Sequence, residues 1–437
     1  RSESVFPDGR QLISEIVPTV AGLPSLVTET LADGSGDGWS HSTSYAYDPF
    51  GRILSAKVTA DGNAANTQAS IVNGFDETGN VRSIAYNGNS LTRNITRDIR
   101  GAVSGWSMPE FGQQLTYGDN GAMADWCGRI TSRTSELGEY RGRYDYYYNT
   151  LGFLTRAAFS SDTHRKMDFS ASYDYDRQAN LTYIKRSGML PGDRFGTIVD
   201  KAVMRKGNRI NKVYGDDAGD ALIENQPQII ASGTGCTYDN NGNLTSDPSR
   251  GILDIEWSET GKPMRVSFVS GEEICYRYAT TGEKLSEVFV DTDGRILRRR
   301  DIYGNYELTD GSLDRTQVGG GYLDSKGVFH VYVTDYQGNV IGIINAKTGT
   351  PVLFTDYYPY GIPHATAYSP EANRRKFGGK EYTSEFGFSS CDFGARLYSP
   401  LLCGFDSPDP KASTYTHISP YTYCAADPVN FIDPTGE

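Results

Sequence analysis

Apolar residues along this 437-residue chain fall in short alternating runs, and glycine-centred breaks separate them. One late stretch shows the pattern plainly: Val331 and Val333 precede a break at Gly338, and Ile341 and Ile343 follow it. A period of two predicts strands whose side chains point alternately to two faces. No long stretch carries a 3.6-residue apolar period, so the pattern predicts an all-β chain. The breaks share a chemistry of aromatic, Asp, two variable residues and Gly. It stands at Tyr47-Asp48-Pro49-Phe50-Gly51, Phe75-Asp76-Glu77-Thr78-Gly79 and Tyr238-Asp239-Asn240-Asn241-Gly242. Degenerate copies include Arg97-Asp98, Tyr148-Asn149, Tyr173-Asp174, Tyr175-Asp176, Tyr278-Ala279, Thr334-Asp335 and Tyr357-Tyr358.

The Asp carboxylate of such a unit is placed to accept a backbone N–H two residues on, and Gly supplies the positive φ that closes the turn. Each unit is therefore predicted to be one hairpin. Gly242, Gly261 and Gly282 lie 19 and 21 residues apart, room for two strands of ~7 residues plus turns. A lone hairpin is marginal in water, so the units must stack edge to edge into a long sheet. That sheet needs a second layer or closure, because open edges invite aggregation. An ordinary β-sandwich with Gly-rich turns does not explain one turn chemistry recurring along the whole chain.

Composition agrees. Tyrosine (30, against 18 Phe and 4 Trp) and glycine (49) are abundant, as short, strongly turned strands require. The chain exceeds the ~250–300 residues of a single core, so several domains or an extended repeat array are expected. A net charge of −12 has the wrong sign for binding nucleic acid and suits a soluble particle or a surface that attracts a basic partner. No run approaches the ~18 apolar residues of a membrane span. A start at Arg1 reads as a processed or truncated piece of something larger.

Cys127, Cys236, Cys275, Cys391, Cys403 and Cys424 form no C-x-x-C pair, and read as small buried hydrophobes of a chain made in a reducing compartment. His41, His164, His330, His364 and His417 show no metal-ligand spacing and read as packing or surface residues, and no metal or cofactor is expected. The Val318-Gly319-Gly320-Gly321 run lacks the Lys-Ser/Thr of a phosphate loop and reads as a bend or bulge. The run Arg298-Arg299-Arg300 reads as an exposed strand end.

The repeats resemble the YD repeats of the RHS family, shared by bacterial polymorphic toxins, insecticidal toxin-complex C subunits and animal teneurins. The resemblance covers approximately Ser44 to Glu437. It implies a spiralling β-sheet wound into a cocoon around a C-terminal toxin, here a partial one because family shells are generally longer. The expected divisions are lead-in strands over 1–43, a repeat shell over 44–333 and a core domain over 334–437 that plugs or closes one end.

Toward the C-terminus the motifs become dense: Phe377-Gly378-Gly379-Lys380-Glu381, Asp392-Phe393-Gly394-Ala395-Arg396-Leu397-Tyr398, Ser407-Pro408-Asp409-Pro410, Asp427-Pro428 and Asp433-Pro434-Thr435-Gly436-Glu437. Asp409 and Asp433 each precede a proline, a common turn arrangement. Two carboxylates brought within ~3 Å would instead share a proton, one acting as base on water while the other polarises a carbonyl. A nearby arginine such as Arg396 could hold one of them ionised through a bidentate contact.

In order and spacing these motifs are similar to the RHS-associated core domain, whose members resemble aspartyl proteases that cut themselves just downstream of D-P-x-G. That implies Asp433 and Asp409 as the catalytic pair, Arg396 as their arginine, and Gly436 and Glu437 as the cleavage site. The reaction would be single-turnover and in cis, with the new C-terminus left in place. One departure stands out: the family carries a leucine in an apolar pocket where this chain has Glu437, and a charged residue does not suit such a pocket.

The expectation is thus the encapsulating shell of a secreted polymorphic toxin. It is made in the bacterial cytoplasm and works outside or at the cell surface. Its expected partners are a C-terminal toxin as cargo, a secretion apparatus or N-terminal carrier domain, and an immunity protein for the toxin. A cell-surface YD-repeat adhesion or carbohydrate-binding module without cleavage is the alternative.

Overall fold

The computed structural model describes residues 1–32, 38–60, 67–88, 91–118, 128–162, 167–190, 192, 194–215, 229, 235–368 and 373–437. Cys127 and His164 lie outside the described residues. Among those described, regular structure is strands and single 3-10 turns, and no helix is long and apolar enough to cross a membrane. The chain is all-β, built from long antiparallel sheets in which neighbours in sequence are neighbours in the sheet.

The local cause is the expected turn. Asp48 Oδ1 accepts the N–H groups of Phe50 and Arg52, both at 2.9 Å, while the Gly51 N–H closes on the Asp48 carbonyl at 3.0 Å. Asp76 repeats this with Thr78 and Asn80, and Asp335 with Gln337 and Asn339. At Asn149 an amide oxygen takes the carboxylate's place, bonding Leu151 and Phe153. At Ala279 the backbone bonds alone hold the turn. The strand register slips by one residue beside four of these turns, at Tyr47, Phe75, Tyr148 and Tyr278. The repeated residue before the turn is thus a β-bulge, which tightens strand twist.

Three local expectations are corrected. Tyr173-Asp174 does not turn; it lies inside the strand Ala171–Tyr175, and the chain reverses one dipeptide later at Asp176. There Asp176 also holds the Asn180 side chain, and Ala179 accepts φ +63° where other copies have Gly. The glycine run is a two-residue hairpin loop, with Val318 paired to Gly321 and Gly320 at φ +74°. Arg298-Arg299-Arg300 lies within the strand Ile296–Tyr303; Arg300 is buried and Arg299 bonds Asp301 at 2.9 Å.

The strands gather into two compact units, each drawing on separated segments. The first comprises Arg1–Gly112, Arg298–Val333 and Gly342–Val352. Its meander runs from Ser2–Val5 to Val103–Met108. Leu31, Tyr303, Tyr306 and Leu308 pack there with Leu12, Trp39 and Leu313. His41, buried in this unit, bonds the Tyr306 hydroxyl at 2.9 Å and stands 3.3 Å from Glu29.

The second unit comprises Gln113–Leu297, Thr334–Ile341 and Leu353–Glu437. It holds a meander from Ile130–Leu137 to Arg209–Tyr214, then strands from Ile252–Trp257 to Lys284–Val290. A four-stranded sheet follows, Glu381–Thr383, Ser390–Asp392, Leu397–Ser399 and Gly404–Phe405. Ile252, Ile255, Val266, Phe268, Ile274 and Phe289 form its core with Phe388 and Leu397 of the C-terminal segment.

That segment is fastened to the repeat turns by polar contacts. Thr422 donates to the Ala179 carbonyl, the Ser419 N–H to that of Gln178, and the Tyr421 hydroxyl to that of Gly242. Buried Arg250 bonds Asp247 at 2.6 Å and Asp406 at 2.7 Å, so the strand end leading to Asp409 is set by a buried ion cluster. Removing one member of such a cluster costs ~3–5 kcal/mol, because an uncompensated charge is left behind.

Candidate functional site

Arg396 follows a tight turn in which Asp392 accepts the Gly394 N–H at 2.9 Å and Gly394 takes φ +94°. The next strand, Leu397–Ser399, carries Tyr398 into a cluster with Phe377, Phe393, Phe405 and Tyr423. Arg396 lies across the Phe405 ring, 3.5 Å from its centroid, with its side chain 2% exposed. A stacked, planar fork in this position has little freedom, and its five donors point in fixed directions.

Those donors gather the remaining residues. Nε donates to the Gly436 carbonyl at 2.5 Å and Nη1 to the Pro420 carbonyl at 3.0 Å. Nη2 donates to Asp409 Oδ2 at 3.1 Å and stands 3.5 Å from Asp433 Oδ2. The structure therefore brings together Arg396, Asp409, Asp433 and Gly436, with one nitrogen shared by both carboxylates. Burial pushes the Arg396 guanidinium below its ordinary range, and the charges of Asp409 and Asp433 pull it back up.

Each carboxylate divides its work. Asp409 Oδ1 accepts the Lys411 N–H at 2.6 Å and so caps its own turn, while the Asp409 N–H is fixed by the Pro420 carbonyl at 2.9 Å. Asp433 Oδ1 accepts the N–H groups of Thr435 and Gly436, at 3.1 and 2.6 Å. The turn role expected of any Asp-Pro is present in both, and the second oxygen of each remains for Arg396. Gly436 is required twice over. Its φ is +81°, and a Cβ there would stand 3.0 Å from Phe393 Cβ and 3.2 Å from the Arg396 nitrogen.

The tail is laid along the Arg396 turn by a backbone bond from the Ala395 N–H to the Thr435 carbonyl, 3.0 Å. Two lysines that sequence reasoning did not single out complete the site. Lys380 Nζ donates to the Pro434 carbonyl at 2.6 Å, and Lys411 Nζ stands 2.8 Å from Glu437 Oε2. Lys380 belongs to the Phe377–Glu381 motif, but it is 54 residues from Pro434, and no local pattern announces that contact. A hollow of about 230 Å³ opens beside Asp433, lined by Asn339, Phe377, Lys380, Tyr423, Ile432 and Pro434.

The other reactive side chains lead elsewhere. Cys391 and Cys403 are buried, and burial pushes both thiols up, Cys403 to about 12. A buried thiol so raised is a poor nucleophile. Among the described residues no cluster of three or more His, Cys, Asp or Glu could hold a metal ion.

No protein-family model matches the chain. Salivary gland surface protein 1 of Aedes aegypti is 31% identical over 119 residues, 27% of this chain and 3% of that protein. The fold has solved counterparts. The Photorhabdus luminescens Tc holotoxin pore matches with a TM-score of 0.72 at 16% identity, covering 98% of this chain and 23% of that one. The TcdB2–TccC3–Cdc42 structure gives 0.64 at 14% identity, covering 98% and 24%. TcdB2–TccC3 without its hypervariable C-terminal region gives 0.63 at 14%, with the same coverage. This chain thus spans about a quarter of the length of those solved chains, and over that span it shares their all-β fold. The likeness bears out the all-β fold expected from the alternating pattern.

Proposed function

We propose that this chain is shell material of an RHS-type toxin: it holds a C-terminal effector and frees it by cutting itself once, just after Asp433-Pro434-Thr435-Gly436. The observation that carries the reading is the convergence of Arg396 on Asp409, Asp433 and the Gly436 carbonyl. Residues that lie 13, 37 and 40 positions from Arg396 have no local reason to meet on it. Their meeting supplies the three parts that hydrolysis in cis needs: two carboxylates, a cation and a pinned peptide.

In the reaction one carboxylate takes a proton from water as the oxygen adds to the scissile carbonyl carbon. The other, in its protonated form, polarises that carbonyl. The C–N bond then breaks, the departing amine takes a proton, and a new α-carboxylate remains. Arg396 holds the Gly436 carbonyl still, which is where much of an intramolecular reaction's advantage lies. The substrate is part of the chain, so each molecule turns over once. The partners that follow are the effector itself, an immunity protein against it, and a carrier or secretion apparatus that takes the particle out of the bacterium. The core domain over 334–437 would then be the cutting module, and the repeats over 44–333 the wall.

A chain extended past Glu437 is expected to split spontaneously, while Asp409→Asn or Asp433→Asn should leave one band on a denaturing gel. Splitting of both variants at the same bond would show that the pair is not the catalyst. A second reading, a cell-surface adhesion or carbohydrate-binding module without cleavage, is favoured by the surface location in the mosquito relative's name. It predicts glycan binding by the isolated chain and no splitting of the extended one.

A further inference from the structure

Glu437 occupies a place where an apolar residue is expected, and its surroundings are cationic. Lys411 Nζ meets its carboxylate at 2.8 Å. Arg396 bonds the carbonyl of the residue immediately before it, and Lys262 Nζ is fixed nearby on the Gly394 carbonyl. The two neighbouring acids, Asp409 and Asp433, are already engaged with Arg396, so Lys411 is left for Glu437. Lys411 is also not an arbitrary surface lysine. Its backbone N–H caps Asp409 Oδ1, and the Ala412 N–H closes the same turn on the Asp409 carbonyl at 3.0 Å. The side chain that meets residue 437 and the carboxylate that faces Arg396 are therefore set by one turn.

We propose that Lys411 is a specificity-determining residue, which makes the self-cleaving site select an acidic side chain at the position after Gly436. The inference rests on the autoproteolysis reading. In place of an apolar pocket, this chain presents a positive seat. A leucine there would leave the ammonium without its partner, and a lysine would add a further cation to Lys411, Arg396 and Lys262. Both partners are exposed, the Lys411 side chain by 59% and that of Glu437 by 35%. Loss of one charge should therefore matter modestly, and reversal more.

The test follows the splitting rate of the extended full chain. Lys411→Glu and Glu437→Lys are each expected to slow splitting about tenfold, and Lys411→Met or Glu437→Gln about threefold. The double exchange, Lys411→Glu with Glu437→Lys, should return the rate to within about threefold of the original. Recovery by exchange is something a merely structural lysine would not produce. Thermal midpoints measured on the same samples identify any variant that has failed to fold, and the neutral pair then decides. Single reversals that split at the original rate overturn the inference, as does a double exchange no faster than the slower single. If the original extended chain does not split, both the inference and the reading beneath it fail.

Discussion

Arg396→Met is the perturbation that most directly examines how the tail is held. Methionine keeps an apolar stem over Phe405 and removes the donors that reach Gly436, Pro420 and Asp409, together with the charge beside Asp433. Hydrogen bonds involving a charged group are worth about 1.5–3 kcal/mol each, and breaking a buried pair from one side costs about 3–5 kcal/mol. The whole sum cannot appear, because residues 433–437 can lift away and let both carboxylates regain water. The cost is capped by what else docks the tail: the Ala395–Thr435 bond, Lys380 on Pro434, and Gly436 against Phe393. A local loss of about 3 kcal/mol is expected, and that is roughly a hundredfold in the opening equilibrium.

Hydrogen exchange reads this loss directly. The Ala395 amide, bonded to Thr435, should lose about a hundredfold in protection. Amides in the strand Glu273–Tyr278, whose core excludes the site residues, should be unaffected. Arg396→Lys should recover only part, since an ammonium can serve one carboxylate but not the flanking carbonyls as well. Undiminished protection at Ala395 in Arg396→Met would refute the reasoning and assign the tail's docking to the lysine and the backbone.

Two more outcomes can be checked on the same material. His364 is buried, with Nε2 on the Tyr144 hydroxyl at 2.8 Å and its ring stacked on Phe169, and burial pushes it down from 6.5 to about 4. Asp356 favours its charge, whereas Arg133 opposes it. With the folded value below the unfolded one, protonation favours unfolding. His364's contribution is therefore complete above pH 6.5 and is lost as pH falls toward 4, about 2–3 kcal/mol between pH 7 and 4.5. Urea unfolding at those two pH values should show that loss, and His364→Phe should be free of it. Ala179→Gly should stabilise the second unit by about 1 kcal/mol in the same assay, because Ala179 is held at φ +63° in a turn whose other copies use Gly. An unchanged or lowered midpoint would mean that the buried Ala179 methyl group contributes more by packing than the backbone loses by strain.

The turns were readable in the sequence because their physics is local. An Asp oxygen reaching backbone N–H groups two and four residues on, and a Gly at positive φ, need nothing from the rest of the molecule, so Asp48, Asp76, Asp98 and Asp335 behave as the pattern predicts. Where two consecutive dipeptides competed, at Tyr173-Asp174 and Tyr175-Asp176, pattern alone could not choose. The contact of Asp176 with Asn180 and the tolerance of Ala179 for φ +63° decided it.

The site lies at the other extreme. Motif resemblance named Arg396, Asp409 and Asp433, but Arg396 meets Gly436 across 40 residues, and only folding establishes that. The same folding joined Lys380 to Pro434 and gave Glu437 a partner in Lys411. It also drew each compact unit from separated stretches of chain. The sequence by itself determined the strands and turns, because their energies are settled within about five residues. Tertiary structure alone decided which charges share a nitrogen and which carbonyls are pinned. Those contacts depend on buried strands and stacked rings that no local pattern encodes.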